Sequence, residues 1–540
     1  MKHIKKLSAL LLCMALGMGV FTFPAAAALE ETPPPSKAMS LLYDAGDFAV
    51  RGIAGAITWL IPDRHTPREF PESADFLPGH AAFLNAPAPG ARWRLGYARA
   101  SLLEDYDVLD GNHYVTGALD VINKRVPTSI VDDQAIRVTA LSDGSGRGAA
   151  VFVSLDSYGI TSTDVRKIRA ALRPFLEAHK VVSLNVSALH QHSVIDTLGM
   201  HGPILWGLLA NPLANLTGWF APISGKNPAF MEHLTQVTKN AVMAAVDEME
   251  HTPGTMTYAK ADISEFIDDH RAPVSFDPYL HRLCFTPDGG TKPRTWLCNL
   301  GLHTTGTGIV ACDITGDFPY YMEEIANRAG ANFQLINGAE LAIHEEGALF
   351  PTGSRLEKLQ QRGRALGQKL IDLPETGEEE VLPLLNIAHR EYVLPVDNPL
   401  HTLLARLRVI EANIRRPNPL CTDMEIKTEL GYAEFGTSLA AALIPGELEA
   451  ALAFGDGAGL PAAKAWRGTG WTYTPLQSMA GGRELMVFGL TNDMTGYMPL
   501  PNDIHHFVLF ENEEINCASS DAAPLVLANF QALLESRGRG

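Results

Sequence analysis

Val181-Val182-Ser183-Leu184-Asn185-Val186-Ser187-Ala188-Leu189-His190-Gln191-His192-Ser193 is the stretch on which the reading of this chain turns. Its first nine residues alternate well enough to predict a buried strand. Two histidines at i and i+2 follow where that strand ends. Inside a strand they would point to opposite faces. At a strand's end the backbone turns, and both imidazoles can reach one cleft. Imidazole is the commonest metal ligand and the usual general base near neutral pH. A His-x-His pair is equally compatible with two satisfied core or surface histidines, so the rest of the chain has to decide.

Outward from that stretch the pattern alternates between strands and helices. Ala149-Ala150-Val151-Phe152-Val153-Ser154-Leu155 is a continuous apolar run that predicts a strand ending at Asp156. Residues 162–179 read as a helix capped by Ser162 or Thr163. Trp296 to Leu302 predicts a strand ending at His303, followed by the loop Thr304-Thr305-Gly306-Thr307-Gly308. A helix is expected over 320–329, a short strand over 333–336, a charged helix over 354–371, and strands over 424–434 and 485–491. Such alternation predicts an α/β fold of layered sheets flanked by helices. No internal repeat or low-complexity tract interrupts it.

Composition bounds the function. The chain has 540 residues, 46% hydrophobic and 19% charged, so it is globular and long enough for several packed layers. Its formal net charge of −18 argues against a nucleic-acid partner, which needs a basic face. Lys2, Lys5 and Lys6 precede the apolar run Leu7 to Phe23, and Ala25-Ala26-Ala27-Ala28 supplies small residues for cleavage. Residues 1–28 therefore read as a signal peptide, with an uncleaved anchor as the alternative, and the chain as exported to the periplasm, the medium or the cell surface. Leu10-Leu11-Leu12 ahead of Cys13 are too bulky for a lipoprotein signal. The cysteines left beyond residue 28 (Cys284, Cys298, Cys312, Cys421, Cys517) are too sparse for a disulfide framework.

Residues 29–90 read as a linker and an amphipathic helical extension, and 91–540 as the main globular domain. Residues 29–37 are acidic and proline-rich, and 63–90 are rich in Pro and His. Between them, residues 38–62 carry Leu41, Leu42, Phe48, Ile53, Ile57, Trp59 and Leu60 at helical spacing. Two readings stand: a helix docked on the body, or peripheral contact with a membrane, although the lysine-rich face usual for the second is missing.

Two further positions carry chemistry. Glu447 in Pro445-Gly446-Glu447 follows the apolar stretch Leu439 to Ile444 and precedes a helix expected from Leu448. It is either a charge at a helix N-terminus, worth about 0.3–1 kcal/mol, or a metal ligand. Tyr497 in Asn492-Asp493-Met494-Thr495-Gly496-Tyr497 would alone be a core or turn tyrosine.

Together these segments resemble the catalytic domain of the neutral/alkaline, non-lysosomal ceramidases. That family carries a strand followed by Ala-Thr-His-Thr-His-Ser-Gly-Pro, which stands here as Ser187-Ala188-Leu189-His190-Gln191-His192-Ser193. Its second histidine motif is similar to Asn299-Leu300-Gly301-Leu302-His303-Thr304-Thr305, its Asp-Phe-Pro-Gly-Tyr to Asp317-Phe318-Pro319-Tyr320-Tyr321, and its Pro-Gly-Glu to 445–447. Its Asn-x-Tyr-x-x-Tyr is similar to Asn492 through Tyr497. Each motif is moderately specific; all five in order, over roughly residues 91–512, are more so.

The resemblance implies a Zn2+ ion held by His190, His303, Glu447 and Tyr497, with His192 moving protons beside it. It implies hydrolysis of an N-acyl amide or related lipid-like bond, with zinc-bound water as nucleophile. Arg271, in Asp268-Asp269-His270-Arg271-Ala272-Pro273, falls where the family has a functional arginine and reads as a substrate or oxyanion contact, with a surface salt bridge as the alternative.

The departures fall on the substrate side. The family's Asn-x-x-Gly-Asp-x-Ser-Pro becomes Asn337 through Glu345, with Ala342 for the aspartate and His344 for the serine, and its late tyrosine becomes Phe510. The Gly-Pro after His-x-His-Ser becomes Val194-Ile195. The chain ends at Gly540, without room for the family's C-terminal β-sandwich domain. Two functions remain open: an active zinc amidohydrolase on which long-chain ceramide is a poor substrate, or a catalytically silent relative that binds a lipid around a structural metal.

Overall fold

The structure, a computed structural model, describes residues 37–61, 65–117, 125–306, 311–373, 378–418, 423–505 and 513–539. The expected leader over 1–28, the linker over 29–36, Thr307-Gly308, Cys421 and Phe510-Glu511 lie outside the described residues.

Two sheets lie face to face, each covered by helices on its other side. The larger runs in the order Ala331–Asn337, Arg294–Leu300, Tyr279–Pro287, Pro253–Asp262, Trp93–Ser101, Ala135–Ser142, Ala149–Leu155, Val181–Ala188. Glu379–Glu380 pairs with its Pro253–Asp262 strand. The pairs at its two ends are parallel and those between are antiparallel. The second sheet runs Leu385–Val396, Met424–Phe435, Leu439–Leu443, Glu484–Phe488. Between the sheets Phe152 meets Phe435 and Phe488 at ring distances of 6.0 and 5.9 Å. Each such ring, wholly removed from water, contributes about 1.5–3 kcal/mol. On the outer side of the large sheet sit helices Ser162–Ala178 and Pro228–Glu250, whose Ile168, Leu172, Phe230, Leu234 and Val242 are buried. Helices Asp317–Arg328 and Arg355–Ile371 cover its other end, and helix Ala522–Glu535 covers the second sheet.

The large sheet curls so that its end strands approach each other. Gln334 on one end strand donates to the carbonyls of Arg137 and Phe152 at 3.0 and 2.9 Å, and Ser154 donates to the Leu335 carbonyl. The carboxyl ends of the Val181–Ala188 and Arg294–Leu300 strands thereby open into one region, the usual place for a ligand site beside parallel strands.

The expected elements are present, with shifted edges. The Ala149–Leu155 strand has the expected bounds. The helix that follows is capped by Thr161, whose side chain accepts from the Asp164 N–H, not by Ser162 or Thr163. The strand before His303 stops at Leu300, and the 320–329 helix begins earlier, at Asp317. No helix starts at Leu448. Glu447–Leu448 instead forms a short parallel pair with Tyr497–Met498, and the helix spans Ala450–Phe454. The last strand of the second sheet ends at Phe488, short of residue 491. No disulfide joins Cys284, Cys298, Cys312 and Cys517.

Candidate metal centre

His190 follows the Val181–Ala188 strand by two residues, and its backbone lies at φ +56°, a conformation that non-glycine residues rarely adopt. The next residues are clamped from both sides. Gln191 donates from Nε2 to Asp156 Oδ1 (3.0 Å) and to the Gly316 carbonyl (2.8 Å), while Asp156 is paired with Arg137 at 2.8 Å. Gln191 also forms a parallel bridge with Thr304, the residue after His303. Thr304 Oγ1 donates to the Leu189 carbonyl at 2.9 Å, and the His192 N–H to the Thr304 carbonyl at 3.2 Å. The two histidine-bearing segments are thus stitched together by backbone. The Asp317 carboxylate accepts from the Gly306 N–H at 3.0 Å and anchors the loop after His303.

The side chains converge. The rings of His190 and His192 are 4.9 Å apart, and that of His303 lies 4.9 Å from His190 and 6.0 Å from His192. His190 Nε2 is 3.4 Å and His303 Nε2 3.1 Å from the same oxygen of Glu447. The opposite nitrogens are fixed: His190 Nδ1–H donates to the Tyr158 carbonyl at 2.8 Å, His303 Nδ1–H to the Ile343 carbonyl at 3.1 Å. A carbonyl can only accept, so both rings turn their lone-pair Nε2 toward Glu447. This is the usual way a protein sets the tautomer of a ligating histidine. Burial pushes His190 down to about 4, against the pull of Glu447, and so keeps it a neutral imidazole.

Glu447 reaches this position because two loops touch. A Cβ on Gly446 would lie 2.5 Å from the Gly496 carbonyl, and one on Gly496, at φ +90°, would strike the Asn516 carbonyl. Glycine at both places lets Glu447 pair in register with Tyr497. Of the four expected ligand positions, His190, His303 and Glu447 are brought together and buried, and Tyr497 is buried in backbone register with Glu447.

His192 is buried against the same group, and neither ring nitrogen has a hydrogen-bond partner. Burial first, then His190 and His303, hold it well below the ordinary histidine range. His190, His192 and His303 can offer atoms within 4.8 Å of one another, and so can His190, Glu340 and Glu447. Glu340 was not singled out from the sequence. Its carboxyl is fully buried, accepts from Asn337 Nδ2 at 3.1 Å, and is pushed well above its usual range by burial and by Glu447.

His344 lies on the short strand Ile343–Glu345. Its ring stacks on His303 at 4.8 Å and on His270 at 4.7 Å. Burial, then His303, holds it well below its usual range. Arg271 is engaged elsewhere: its guanidinium donates to Glu514 (2.9 Å) and to the Asp503 carbonyl (3.1 Å), and pairs with the Asp503 carboxylate at 3.2 Å. That is a largely buried ion-pair cluster, the alternative weighed for this residue, though beneath the surface.

The donor set suits a metal ion. Two imidazoles and a carboxylate, with an orphaned Nε2 on His190, are the nitrogen and oxygen donors that zinc prefers. Ligand atoms at ~2.0–2.1 Å from a tetrahedral zinc stand about 3.3 Å apart. The observed 3.1 and 3.4 Å bracket that spacing.

No family model and no curated protein matches the sequence. Among solved structures, the neutral ceramidase from Pseudomonas aeruginosa superposes with a TM-score of 0.62 over 83% of this chain and 75% of that one, at 14% identity. A ceramidase complexed with C2 gives 0.59 over the same shares at 13% identity. The fold of this chain is that of the neutral ceramidases, of which it is a distant structural relative.

Proposed function

We propose that the chain is an exported zinc-dependent hydrolase of an N-acyl amide, ceramide-like or related lipid-like bond. The observation that carries the reading is the convergence of His190 Nε2 and His303 Nε2 on one Glu447 oxygen, with both Nδ1 atoms fixed on carbonyls, in a ceramidase fold. His190, His303 and Glu447 would hold the ion, with Tyr497 beside Glu447 as the further ligand. The ion would supply Lewis-acid polarisation and a water of lowered pKa. The chain's own groups do the rest. His192, neutral and with no partner on either nitrogen, is placed to accept a proton. Burial of the whole group excludes bulk water and strengthens each charge–dipole contact. Arg271, occupied by Asp503 and Glu514, holds those carboxylates in place.

His344 supports the substrate side of the proposal. An imidazole stacked on His303, where the relatives carry a serine, removes a hydroxyl from the reacting region. Sites that hydrogen-bond their substrate discriminate strongly against molecules that leave a buried partner unmatched. The test is to assay the zinc-loaded protein against fluorogenic acyl amides and esters alongside long-chain ceramide. Turnover of a short-chain amide or ester, with ceramide poor, is expected. No turnover of any of them would favour the silent reading, a lipid-binding relative with a structural metal. Efficient ceramide turnover, unchanged in His344→Ser, would remove the specificity argument.

A further inference from the structure

Two helices of this chain are patterned the wrong way round for water. Helix Ile204–Thr217 buries Ile204, Gly207, Leu208, Asn211, Ala214 and Asn215. Its two asparagines point inward: Asn211 Nδ2 donates to the carbonyls of Ile223 and Leu407 at 2.9 Å, and Asn215 Nδ2 to that of Arg406 at 3.0 Å. Its outward stripe is Trp206, Leu209, Leu213 and Leu216, spaced by three and four residues, with Trp206 60% exposed. Past the Gly218 cap the stripe continues in Trp219, 81% exposed, and Phe220. From Thr197 to Gly225 the sequence has no Asp, Glu, Lys or Arg.

The first described helix, Lys37–Leu60, repeats the arrangement. Leu41, Phe48 and Trp59 are separated by seven and eleven residues and so fall on one face, and all three are exposed. Ile57, on the opposite side, is buried. Ile57 shares a buried cluster with Ile204, Leu208, Leu403 and Leu407, so both helices are seated on one foundation with these apolar stripes left uncovered by the described residues. Scattered exposed leucines need no explanation, but a contiguous apolar patch does.

We propose that these two stripes seat the protein on a lipid bilayer with zwitterionic headgroups, the helices lying in the interface. None of the described helices is long and apolar enough to cross a membrane. Two observations favour lipid over a protein partner. The Ile204–Phe220 stripe offers no charge, whereas protein interfaces carry a polar and charged rim. Trp206 and Trp219 bracket its leucines, and indole rings settle where a membrane's apolar core meets its headgroups. The net charge of −18 sets the lipid class, since anionic headgroups would repel the protein.

The stripe also adjoins a groove that leads toward an apolar cavity. Ala221 and Pro222, just past Phe220, line an open groove that shares Ile410, Ala412 and Ile414 with an apolar cavity. Tyr158, whose carbonyl holds His190, lines that cavity too. The lipid-docking proposal does not depend on the hydrolase reading, and its test reads binding rather than turnover.

The test is flotation of the full chain with phosphatidylcholine vesicles. The protein should float with them, and Trp206→Glu/Leu213→Glu should lower the vesicle-bound fraction roughly tenfold or more, because two charges would enter the apolar layer. Both side chains are solvent-facing, so circular dichroism and the melting midpoint should be unchanged. Should the double variant fail to fold, Trp219→Ser gives a second reading, with a severalfold drop expected. Wild-type protein left wholly in the soluble fraction overturns the proposal, and so does equal flotation of the folded variants. Sedimentation showing a dimer that the substitutions dissociate would assign the stripe to a second copy of this chain and overturn it as well.

Discussion

His190 illustrates how much of this site depends on backbone. Its ring could reach His303 and Glu447 only because the chain leaves the strand through a left-handed φ of +56°. Such strain costs of order 1–3 kcal/mol and clusters at functional sites. Asp317, Ala342, Leu490 and Asn492 share the same unusual region. The turn puts His192 beside the cage rather than across the sheet from it. We predict that His192→Ala keeps its zinc and loses about 10²–10⁴-fold in kcat, measured by metal content and turnover on one preparation. Loss of zinc instead would make His192 a ligand, which its closeness to His190 and His303 permits. The residues that show in the sequence are those with distinctive chemistry at an element's end: His190, His192, His303, Glu447 and Tyr497. Glu340 stayed hidden although it follows a strand's carboxyl end by three residues, because an isolated acid beside Gly338 looks like a solvated turn. Tyr158 contributes only its carbonyl, which no sequence pattern marks.

At the scale of elements, the first histidine strand is tied to the second sheet by one buried network. Arg169, on helix Ser162–Ala178, makes paired contacts of 2.9 and 2.6 Å with Glu429 and donates to the Leu184 carbonyl at 2.8 Å. Asn492 donates to Glu429 at 2.8 Å and to Asn185 at 3.1 Å, and accepts from the Val186 N–H at 2.9 Å. Glu429 thus sets the loop that leads to Tyr497. Removing one partner of a buried pair strands the other charge, so Glu429→Ala should cost about 3–5 kcal/mol, read from the urea unfolding midpoint. A loss below about 1 kcal/mol would show that the network merely fills space. The Ala149–Leu155 strand was legible to the residue because its apolar run is unbroken. Ala135–Ser142 was not, because Arg137 interrupts it, and only the fold reveals Asp156 and Glu323 waiting to neutralise that charge at 2.8 and 2.6 Å. The Glu447 segment misled for the opposite reason: an apolar run beyond a carboxylate looks like a helix start, whereas the parallel pairing with Tyr497 is a contact of long sequence separation.

For the molecule as a whole, the two facing sheets and their helices matter to function chiefly through the curl of the larger one. It brings strands from opposite ends of one sheet, and from distant parts of the chain, to a common mouth. The second sheet then delivers Glu447 and Tyr497 from its far side through the loops beyond Leu439–Leu443 and Glu484–Phe488. Such a cage assembles only when both sheets are in place, so binding of the proposed metal would be coupled to folding. Layered α/β architecture followed from the alternation of elements, but the curl did not, since it rests on contacts such as Gln334 with Arg137 and Phe152. The outward stripe of helix Ile204–Thr217 was also missed, because an uncharged segment containing Pro212 gives no helical periodicity of polar residues to read. The proposed zinc ion on His190, His303 and Glu447 is tested by elemental analysis of the full chain, purified without chelator, beside His303→Ala. One zinc per chain is expected in the wild type and its loss in the variant; absence of any transition metal, or an unchanged content in His303→Ala, would rule the centre out.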